Sequence, residues 1–365
     1  MNKQKFLSLV VIIVLSFSCR DDYKRETVII DKFPETKFVD GERIETGPYY
    51  GLNQILIIDT FLLVGAEIDE SNLFHVYSTN TGSFISELIL RGRGPCEVVI
   101  PSIIPQKELD NSGLLLIYDI GQWSIIEYDI SQFILNPAYS CSTYPIDIPI
   151  TEGTISSIKY KDNRMIMYEN GRSRFTIYDK RTREFTNIPY QSNPPEFKLK
   201  EENEKRIFYS GGLRVNKPIG RVVSAPYSVG KLDFYQSSGE HISSVVFSDY
   251  AELTESIQEF NGAPNPSLAY LNLYTFNLFS DYEFIYLVTT DPIKTRGEIM
   301  MNYGAGISDI RSLLLIFDWD GNPIKKVVFD RFLVQTGMDM KTMTLYGLSP
   351  NSDDGLSMYK YCLGQ

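Results

Sequence analysis

The sequence predicts an all-β fold, namely a six-bladed β-propeller built from four-stranded antiparallel blades. Five segments share one pattern, in which a β-rich run, a tight polar turn and a second β-rich run follow one another. An aromatic residue ends the first run of each segment, and these anchors are Tyr77, Tyr128, Tyr178, Tyr235 and Phe317. The first two intervals are 51 and 50 residues, and a period near 50 with about four strands per unit is typical of propeller blades.

Competing fold classes explain this pattern less well. Helices of similar length do not recur between the strands, which argues against a doubly wound α/β fold. A pair of β-sandwiches would leave the two nearly equal intervals without an explanation. The 24 Tyr and 21 Phe residues also favour strands.

The turns of the hairpins have the residues that tight turns need. Asn-Thr-Gly82, Ser-Ser-Gly239 and Trp-Asp-Gly321 supply residues that tolerate positive φ. The run after Tyr128, through Ile134, is interpreted in the same way as a second strand. The sequence therefore predicts five hairpins as the outer parts of five blades.

The sixth blade is predicted from the two ends of the chain. Met343–Gly347 and Leu356–Leu363 have the composition of strands. An N-terminal strand such as Thr27–Phe33 would complete their sheet. Pairing of N- and C-terminal strands closes the ring and removes exposed sheet edges.

Longer intervals later in the chain indicate insertions. The interval of 57 residues before Tyr235 contains Pro194-Pro195 and the charged run Lys198–Arg206. The interval of 82 residues before Phe317 contains residues 250–262, which have helical spacing, and the polar segment 291–311.

The N-terminus has the pattern of an export signal. Lys3 and Lys5 precede the apolar run Phe6–Leu15, which is too short to span a bilayer. The following Leu-Ser-Phe-Ser-Cys19 resembles a bacterial lipobox, which implies lipid attachment at Cys19. The alternative is an ordinary secretory signal in which Cys19 has no role. The predicted organisation is a signal peptide over 1–18, a lipidated tether over 19–26 and one propeller domain over 27–365.

Composition excludes several classes of function. Lys and Arg total 35 against 46 Asp and Glu, so the net charge of −11 disfavours binding to nucleic acid. Two His residues are too few for a His-built metal centre, and neither His75 nor His241 lies in a metal-binding motif. The Asp318–Asn322 segment lacks the spacing of an EF-hand, and a hairpin turn explains it. No metal or cofactor is predicted.

Three further cysteines remain once Cys19 is set aside. Cys96, Cys141 and Cys362 allow one disulfide in an oxidising compartment, but the sequence does not select a pair. The preferred interpretation is that all three are small buried hydrophobic residues.

A Gly-rich segment follows the first hairpin. Leu90-Arg-Gly-Arg-Gly-Pro-Cys-Glu97, with Pro101 shortly after, resembles the segment that closes the first blade in the six-bladed, TolB-like propeller lipoproteins of Bacteroidetes. The segment departs from that pattern at Cys96, where Gly is usual, and at Val98, where an aromatic is usual. The resemblance implies the propeller fold and a cell-surface or periplasmic setting, and it implies no reaction. Asp21-Asp22, directly after the lipobox, also resembles the signal that sends such lipoproteins to the cell surface.

A few residues are candidates for ligand binding. Arg91 and Arg93 could hold an anion with their guanidinium groups, although an inter-blade turn shaped by glycine explains the same segment and is preferred. Trp123 and Trp319 could stack on a sugar ring. Tyr227 is a weaker candidate, and no residue is predicted to be catalytic.

These observations predict a lipid-anchored binding or scaffolding module outside the cytoplasm. It would lie on the outer membrane, at the cell surface in preference to the periplasmic face. Its partner would be a glycan, a peptide or another envelope protein. The alternative is a propeller enzyme, a lyase or hydrolase, that uses carboxylates or a cation in the central funnel. A structural subunit of an envelope complex is a third possibility.

Overall fold

The computed structural model describes most of the chain after the N-terminal segment. The described residues are 26–49, 54–66, 71–104, 113–136, 141–145, 158–159, 164–167, 173–179, 181–190, 211–226, 230–247, 275–290, 310–351 and 355–364. Cys19, Tyr227, the run Lys198–Arg206 and residues 250–262 lie outside them, as does nearly all of 291–311.

Six sheets, numbered I to VI, follow one another along the chain. Sheet I consists of β4 (Ile55–Ile58), β5 (Phe61–Gly65), β6 (Asn72–Ser78) and β7 (Phe84–Leu90). Sheet II consists of β8 (Pro101–Ile103), β9 (Leu114–Asp119), β10 (Ser124–Asp129) and β11 (Ser142–Pro145). Sheet III consists of β12 (Ile158–Lys159), β13 (Arg164–Met167), β14 (Phe175–Asp179) and β15 (Glu184–Ile188).

The other three sheets each include a strand from the N-terminal segment, and these strands are β1 (Glu26–Ile29), β2 (Glu35–Val39) and β3 (Glu42–Tyr49). Sheet IV contains β16 (Gly211–Asn216), β17 (Arg221–Pro226), β18 (Lys231–Gln236), β19 (His241–Val246) and β1. Sheet V contains β20 (Thr275–Ser280), β21 (Phe284–Thr290), β22 (Ser312–Asp318), β23 (Pro323–Phe329) and β2. Sheet VI contains β24 (Gln335–Asp339), β25 (Thr344–Asn351), β26 (Gly355–Cys362) and β3.

The architecture is a β-propeller arrangement of antiparallel blades, which confirms the predicted all-β class. Five sheets have four or five strands of at least three residues each, whereas β12 in sheet III has two residues. The described residues therefore show five complete blades and not the six that the sequence predicts, together with the smaller sheet III.

The aromatic anchors occupy equivalent positions. Each of the five lies in the third strand of its sheet, and each side chain is buried. Sheet VI has the same feature in Tyr361, which lies in β26 and is also buried. The periodicity missed Tyr361 because the fourth strand of its sheet comes from the other end of the chain, so that no hairpin follows it.

The sheets pack on one another through hydrophobic faces. Separate clusters of buried side chains join sheets I and II, II and III, III and IV, IV and V, and V and VI. A further cluster joins sheet VI to sheet I and includes Tyr346 of one and Tyr77 of the other. Each sheet thus buries both of its faces.

The N-terminal segment wraps around three sheets. β1 pairs in parallel with β19, and β2 pairs in parallel with β23, so sheets IV and V have five strands where four were expected. β3 then pairs antiparallel with β26. The expected pairing of N- and C-terminal strands is present, but Glu42–Tyr49 makes it. The prediction that Thr27–Phe33 is the closing strand is wrong, because its first residues extend sheet IV instead.

The chain after Tyr128 also differs from the prediction. Residues Ile130–Leu135 form an α-helix, α1, and the fourth strand of sheet II comes later, at β11. The Asp129 side chain accepts a hydrogen bond from the N–H of Gln132 and caps the helix. Ile130, Phe133 and Ile134 pack against the cluster between sheets I and II. Their spacing places them on one helical face, and this burial outweighs their preference for strands.

Candidate functional site

The connector between β7 and β8 spans residues 91–100 and contains the Gly-rich segment Arg91–Glu97, whose backbone is folded upon itself. Val98 N–H donates to Leu90 O, and Gly92 N–H donates to Val98 O. Gly94 N–H donates to Glu97 Oε2 at 2.6 Å. A Cβ atom at Gly92 or Gly94 would displace the Glu97 carboxylate from its present position.

These bonds bear on the two interpretations of the connector. Two of the backbone N–H groups that could cradle an anion already bond to the chain itself. The backbone therefore acts as a shaped turn, whereas the Arg93 side chain is exposed and can reach a ligand. Arg91 is half-buried, and its N–H donates to Ser71 O.

Asp119 fixes the connector to sheet II. Its fully buried carboxylate accepts hydrogen bonds from the backbone of the connector, and from one backbone N–H group and one side-chain amide of the β9–β10 turn. The donors and their distances are Val99 N at 2.9 Å, Ile100 N at 3.0 Å, Gly121 N at 2.9 Å and Gln122 Nε2 at 2.8 Å. Because these bonds satisfy a buried charge, they hold the two segments in one geometry.

A disulfide holds the same connector at a second point. Cys96 bonds to Cys141, just before β11, so the prediction that both are unpaired buried residues is wrong. Cys96 has a φ of 61°, in the left-handed region where the usual Gly would be unstrained. Cys362 is a free, exposed thiol, and the prediction that it is buried is also wrong.

Tyr128, the anchor of sheet II, binds this connector too. Its hydroxyl donates to Cys96 O at 3.1 Å. Burial, followed by the charge of Asp119, raises the pKa of Tyr128, so the hydroxyl stays protonated and remains a donor. Tyr361 has the same role in sheet VI, where its hydroxyl donates to Asp330 Oδ1 in the connector after β23 at 3.0 Å.

Trp123 belongs to the turn that is hydrogen-bonded to the connector. It ends the β9–β10 turn with a φ of 52° and is 46% exposed. The neighbouring Gln122 donates to Glu97 O at 3.1 Å, which joins the turn to the connector. Trp123 and Arg93 are therefore exposed side chains on one braced support. Trp319 is different, because its ring is buried and its Nε1 donates to Asp281 O at 3.1 Å.

A buried charged cluster lies between sheets III and IV. Lys231 Nζ lies 2.9 Å from Asp233 Oδ1, and Ser244 Oγ donates to the same oxygen at 2.6 Å. Burial alone would raise the pKa of Asp233, but the charge of Lys231 and hydrogen bonds from His241 and Ser244 outweigh it and lower the pKa. The carboxylate is therefore ionised.

The order of these groups does not activate a serine. His241 Nε2 lies 3.0 Å from Ser244 Oγ, so the serine lies between the acid and the imidazole. A nucleophilic serine needs the imidazole in the middle, where it takes the proton from the hydroxyl. We interpret the cluster as a structural network within the interface.

A cavity of about 310 Å³ opens between sheets VI and I. Tyr346, Lys360 and Cys362 line it together with threonine hydroxyls. Burial and the charges of Asp339 and Cys362 raise the pKa of Tyr346 to about 12. Its hydroxyl donates to Thr79 O at 3.3 Å. The Asp339 carboxylate is used by its own turn, where it accepts from the N–H of Lys341 and the hydroxyl of Thr342.

The described residues contain no group of three or more His, Cys, Asp or Glu side chains that could hold a metal ion. The acidic turn after β22 is a hairpin, since Asp318 Oδ1 accepts from the N–H groups of Asp320 and Asn322. Among the described helices, none has the length and apolar character to cross a membrane.

Comparison with known proteins gives similarity in fold. No protein-family model matches the chain, and no curated protein matches it in sequence. A solved structure of a member of the DUF4221 family from Bacteroides vulgatus is similar to it, with a TM-score of 0.54 and 14% identity over 88% of this chain and 95% of that one.

Two weaker similarities are to other Bacteroides proteins. One is a protein of Bacteroides fragilis that is predicted to be exported, with a TM-score of 0.48 and 11% identity over 92% of this chain and 99% of that one. The other is the extracellular domain of a predicted one-component system of B. thetaiotaomicron, with a TM-score of 0.42 and 14% identity over 84% of this chain and 33% of that one. At these identities the DUF4221 structure supports the fold alone.

Proposed function

We propose that this chain is a lipid-anchored, six-bladed β-propeller that binds a glycan outside the cytoplasm. The observation that carries the proposal is the pair of exposed side chains Arg93 and Trp123. Arg93 lies on a connector that a disulfide and the buried Asp119 brace, and Trp123 lies on the β9–β10 turn that is hydrogen-bonded to that connector. A rigid scaffold that presents a few exposed side chains is the usual construction of a binding site.

The packing of the sheets supports the count of six blades. Six hydrophobic clusters join six sheets in sequence, and the last of them joins sheet VI back to sheet I. In such a closed cycle, every sheet packs against a neighbouring sheet on both of its faces. Sheet III then serves as the sixth blade.

The disulfide supports a compartment outside the cytoplasm. Cys96 and Cys141 form a disulfide. Disulfides persist in oxidising compartments and are rare in the cytosol. The export signal over residues 1–18 and the lipobox ending at Cys19 agree with this. The proposed location is the outer membrane, at the cell surface.

The chemistry of the exposed pair favours a glycan with carboxylate groups. An indole ring stacks on the apolar face of a sugar. A guanidinium group forms paired hydrogen bonds with a carboxylate. The hydrogen bond from Gln122 to Glu97 joins the turn of Trp123 to the connector of Arg93. One acidic glycan that contacts both side chains is part of the proposal.

Binding to polysaccharides tests this proposal. Calorimetric titration of the mature protein with oligogalacturonate should show binding, and a neutral oligogalactan should bind more weakly. Trp123→Ala should weaken the affinity about tenfold, which corresponds to about 1.4 kcal/mol. Arg93→Ala should weaken binding of the acidic glycan and leave the neutral one unchanged.

Tyr282→Ala is the matched control, because Tyr282 is an exposed aromatic residue in the β20–β21 turn of sheet V. Its affinity should equal that of the wild type. If Trp123→Ala bound as well as the wild type, the glycan site would be wrong. Capture of a peptide or an envelope protein through Arg93 and Trp123, without any polysaccharide binding, would favour a protein ligand instead.

A further inference from the structure

The N-terminal strands place apolar side chains on the outer rim of sheets IV and V. Phe38 of β2 is 69% exposed, and Ile29 of β1 is 55% exposed. Val28 of β1 and Ile324 of the adjoining β23 are also exposed. We name these four side chains the belt rim. These side chains lie on β1, β2 and β23, at the outer edges of two neighbouring sheets.

The length of the tether limits where the belt rim can lie. Seven residues, 19–25, separate the proposed lipid from the start of β1 at Glu26. A fully extended chain of that length spans at most about 25 Å. Val28 and Ile29 follow within the next strand, so the rim of sheet IV is held close to the bilayer.

We propose that the belt rim lies against the surface of the membrane that holds the lipid anchor. This inference rests on the proposed lipid attachment at Cys19. Apolar side chains enter the boundary between headgroups and acyl chains, and a second attachment of this kind strengthens a lipid anchor. In this orientation the outer edges of sheets IV and V face the membrane.

The same orientation determines which way the proposed glycan site faces relative to the membrane. The connector over residues 91–100 joins sheets I and II. In the packing order of the sheets, sheet I is three steps from sheet IV and sheet II is three steps from sheet V, and the other two distances are two steps. The exposed pair Arg93 and Trp123 therefore lies on the side away from the membrane, where an external polysaccharide can reach it.

The outer strands of sheets I to III, which have no N-terminal strand added to them, provide a matched control surface. The outer strands β7, β11 and β15 also expose aromatic side chains, namely Phe84, Tyr144 and Phe185. Exposure alone does not separate the two surfaces. The two surfaces differ in their distance from the tether, because the tether leads directly into β1 of sheet IV.

Fluorescence quenching in vesicles tests the orientation. The lipidated full-length protein, with Cys362→Ser to remove the exposed thiol, receives Phe38→Cys or Tyr144→Cys and a bimane label. Phe38 is in sheet V, and Tyr144 is in sheet II, three sheets away. Vesicles of phosphatidylethanolamine and phosphatidylglycerol, with brominated acyl chains, should quench the label at Phe38→Cys several-fold more than the label at Tyr144→Cys.

Each outcome has a distinct meaning. Equal quenching at the two positions, or stronger quenching at Tyr144→Cys, in protein that floats with the vesicles overturns the orientation and leaves the lipid anchor intact. Mass spectrometry of the N-terminal peptide and flotation of the Cys19→Ala variant test the anchor separately. If Cys19 carries no lipid, both the anchor and the orientation are wrong, whereas the glycan site is unaffected.

Discussion

At the scale of single residues, Asp119 does more to position the candidate site than the arginines beside it. One buried carboxylate accepts four hydrogen bonds from two segments that the sequence separates by about twenty positions. Sequence reasoning selected Arg91, Arg93 and Trp123 because their side chains have binding chemistry. It missed Asp119 because an aspartate at the end of a strand is ordinary in sequence, and only the fold shows how many donors meet there.

Replacing Asp119 should cost stability. Asp119→Ala leaves the N–H groups of Val99, Ile100 and Gly121 without their acceptor, so the free energy of unfolding should fall by about 3 kcal/mol. Urea denaturation followed by circular dichroism measures this loss. Asp129→Ala removes a helix cap of α1 and should cost about 1 kcal/mol. Equal effects of the two substitutions would contradict the role given to Asp119.

The tyrosine anchors show how far a sequence pattern can be interpreted. Their spacing predicts the repeat and their place in strands correctly. Their hydroxyl groups have a second role that spacing does not show, since Tyr128 and Tyr361 each bind the connector that arrives from the preceding sheet. In sheet V, Phe317 has the anchor position without a hydroxyl.

At the scale of elements, the connector between sheets I and II is held by its covalent bond as well as by hydrogen bonds. Cys96 and Cys141 are separated by 45 residues. Those residues include the three strands β8 to β10 and helix α1. The sequence left the pairing open because it shows neither the helix that replaces the expected strand nor the later start of β11.

Removing the disulfide should destabilise the protein. A cross-link that closes a loop of 45 residues lowers the entropy of the unfolded chain by an amount equivalent to about 4 kcal/mol. The variant with Cys96→Ser and Cys141→Ser should therefore unfold at a clearly lower urea concentration. Cys362→Ser is the control and should match the wild type, since Cys362 is exposed and unpaired. A double variant as stable as the wild type would show that the bond adds nothing to the fold.

At the scale of the whole molecule, the period of about 50 residues predicts the class of fold, the third strands and the strands of the C-terminal tail. It does not predict the path of residues 26–49. Parallel additions such as β1 on β19 join segments that are more than 200 positions apart. Their strand propensity is visible in the sequence, but the choice of partner depends on which sheet edge the assembled ring leaves open.

Two truncations separate the roles of the N-terminal strands. Removal of residues 26–40 takes away β1 and β2 but leaves sheets IV and V with four strands each. This variant should stay folded, with a Tm lower by about 5 °C. Removal of residues 26–49 also takes away β3 and leaves sheet VI with three strands. Thermal unfolding followed by circular dichroism should then lose its cooperativity, and a sharp transition in the longer truncation would refute the closing role of β3.

The pairing of β3 with β26 also fixes the order in which the molecule can form. Synthesis delivers the N-terminus first, and Glu42–Tyr49 pairs with β26, which lies more than 300 positions later in the chain. The search for that partner spans nearly the full length of the polypeptide, which makes it the slowest kind of contact to form. Sheets I to III can form from strands that are close together in the sequence. During that time β3 remains unpaired, and its free backbone groups can pair with the wrong strands. Sheet VI can therefore be completed only after β26 has been made, and β3 has no partner strand in that sheet until then.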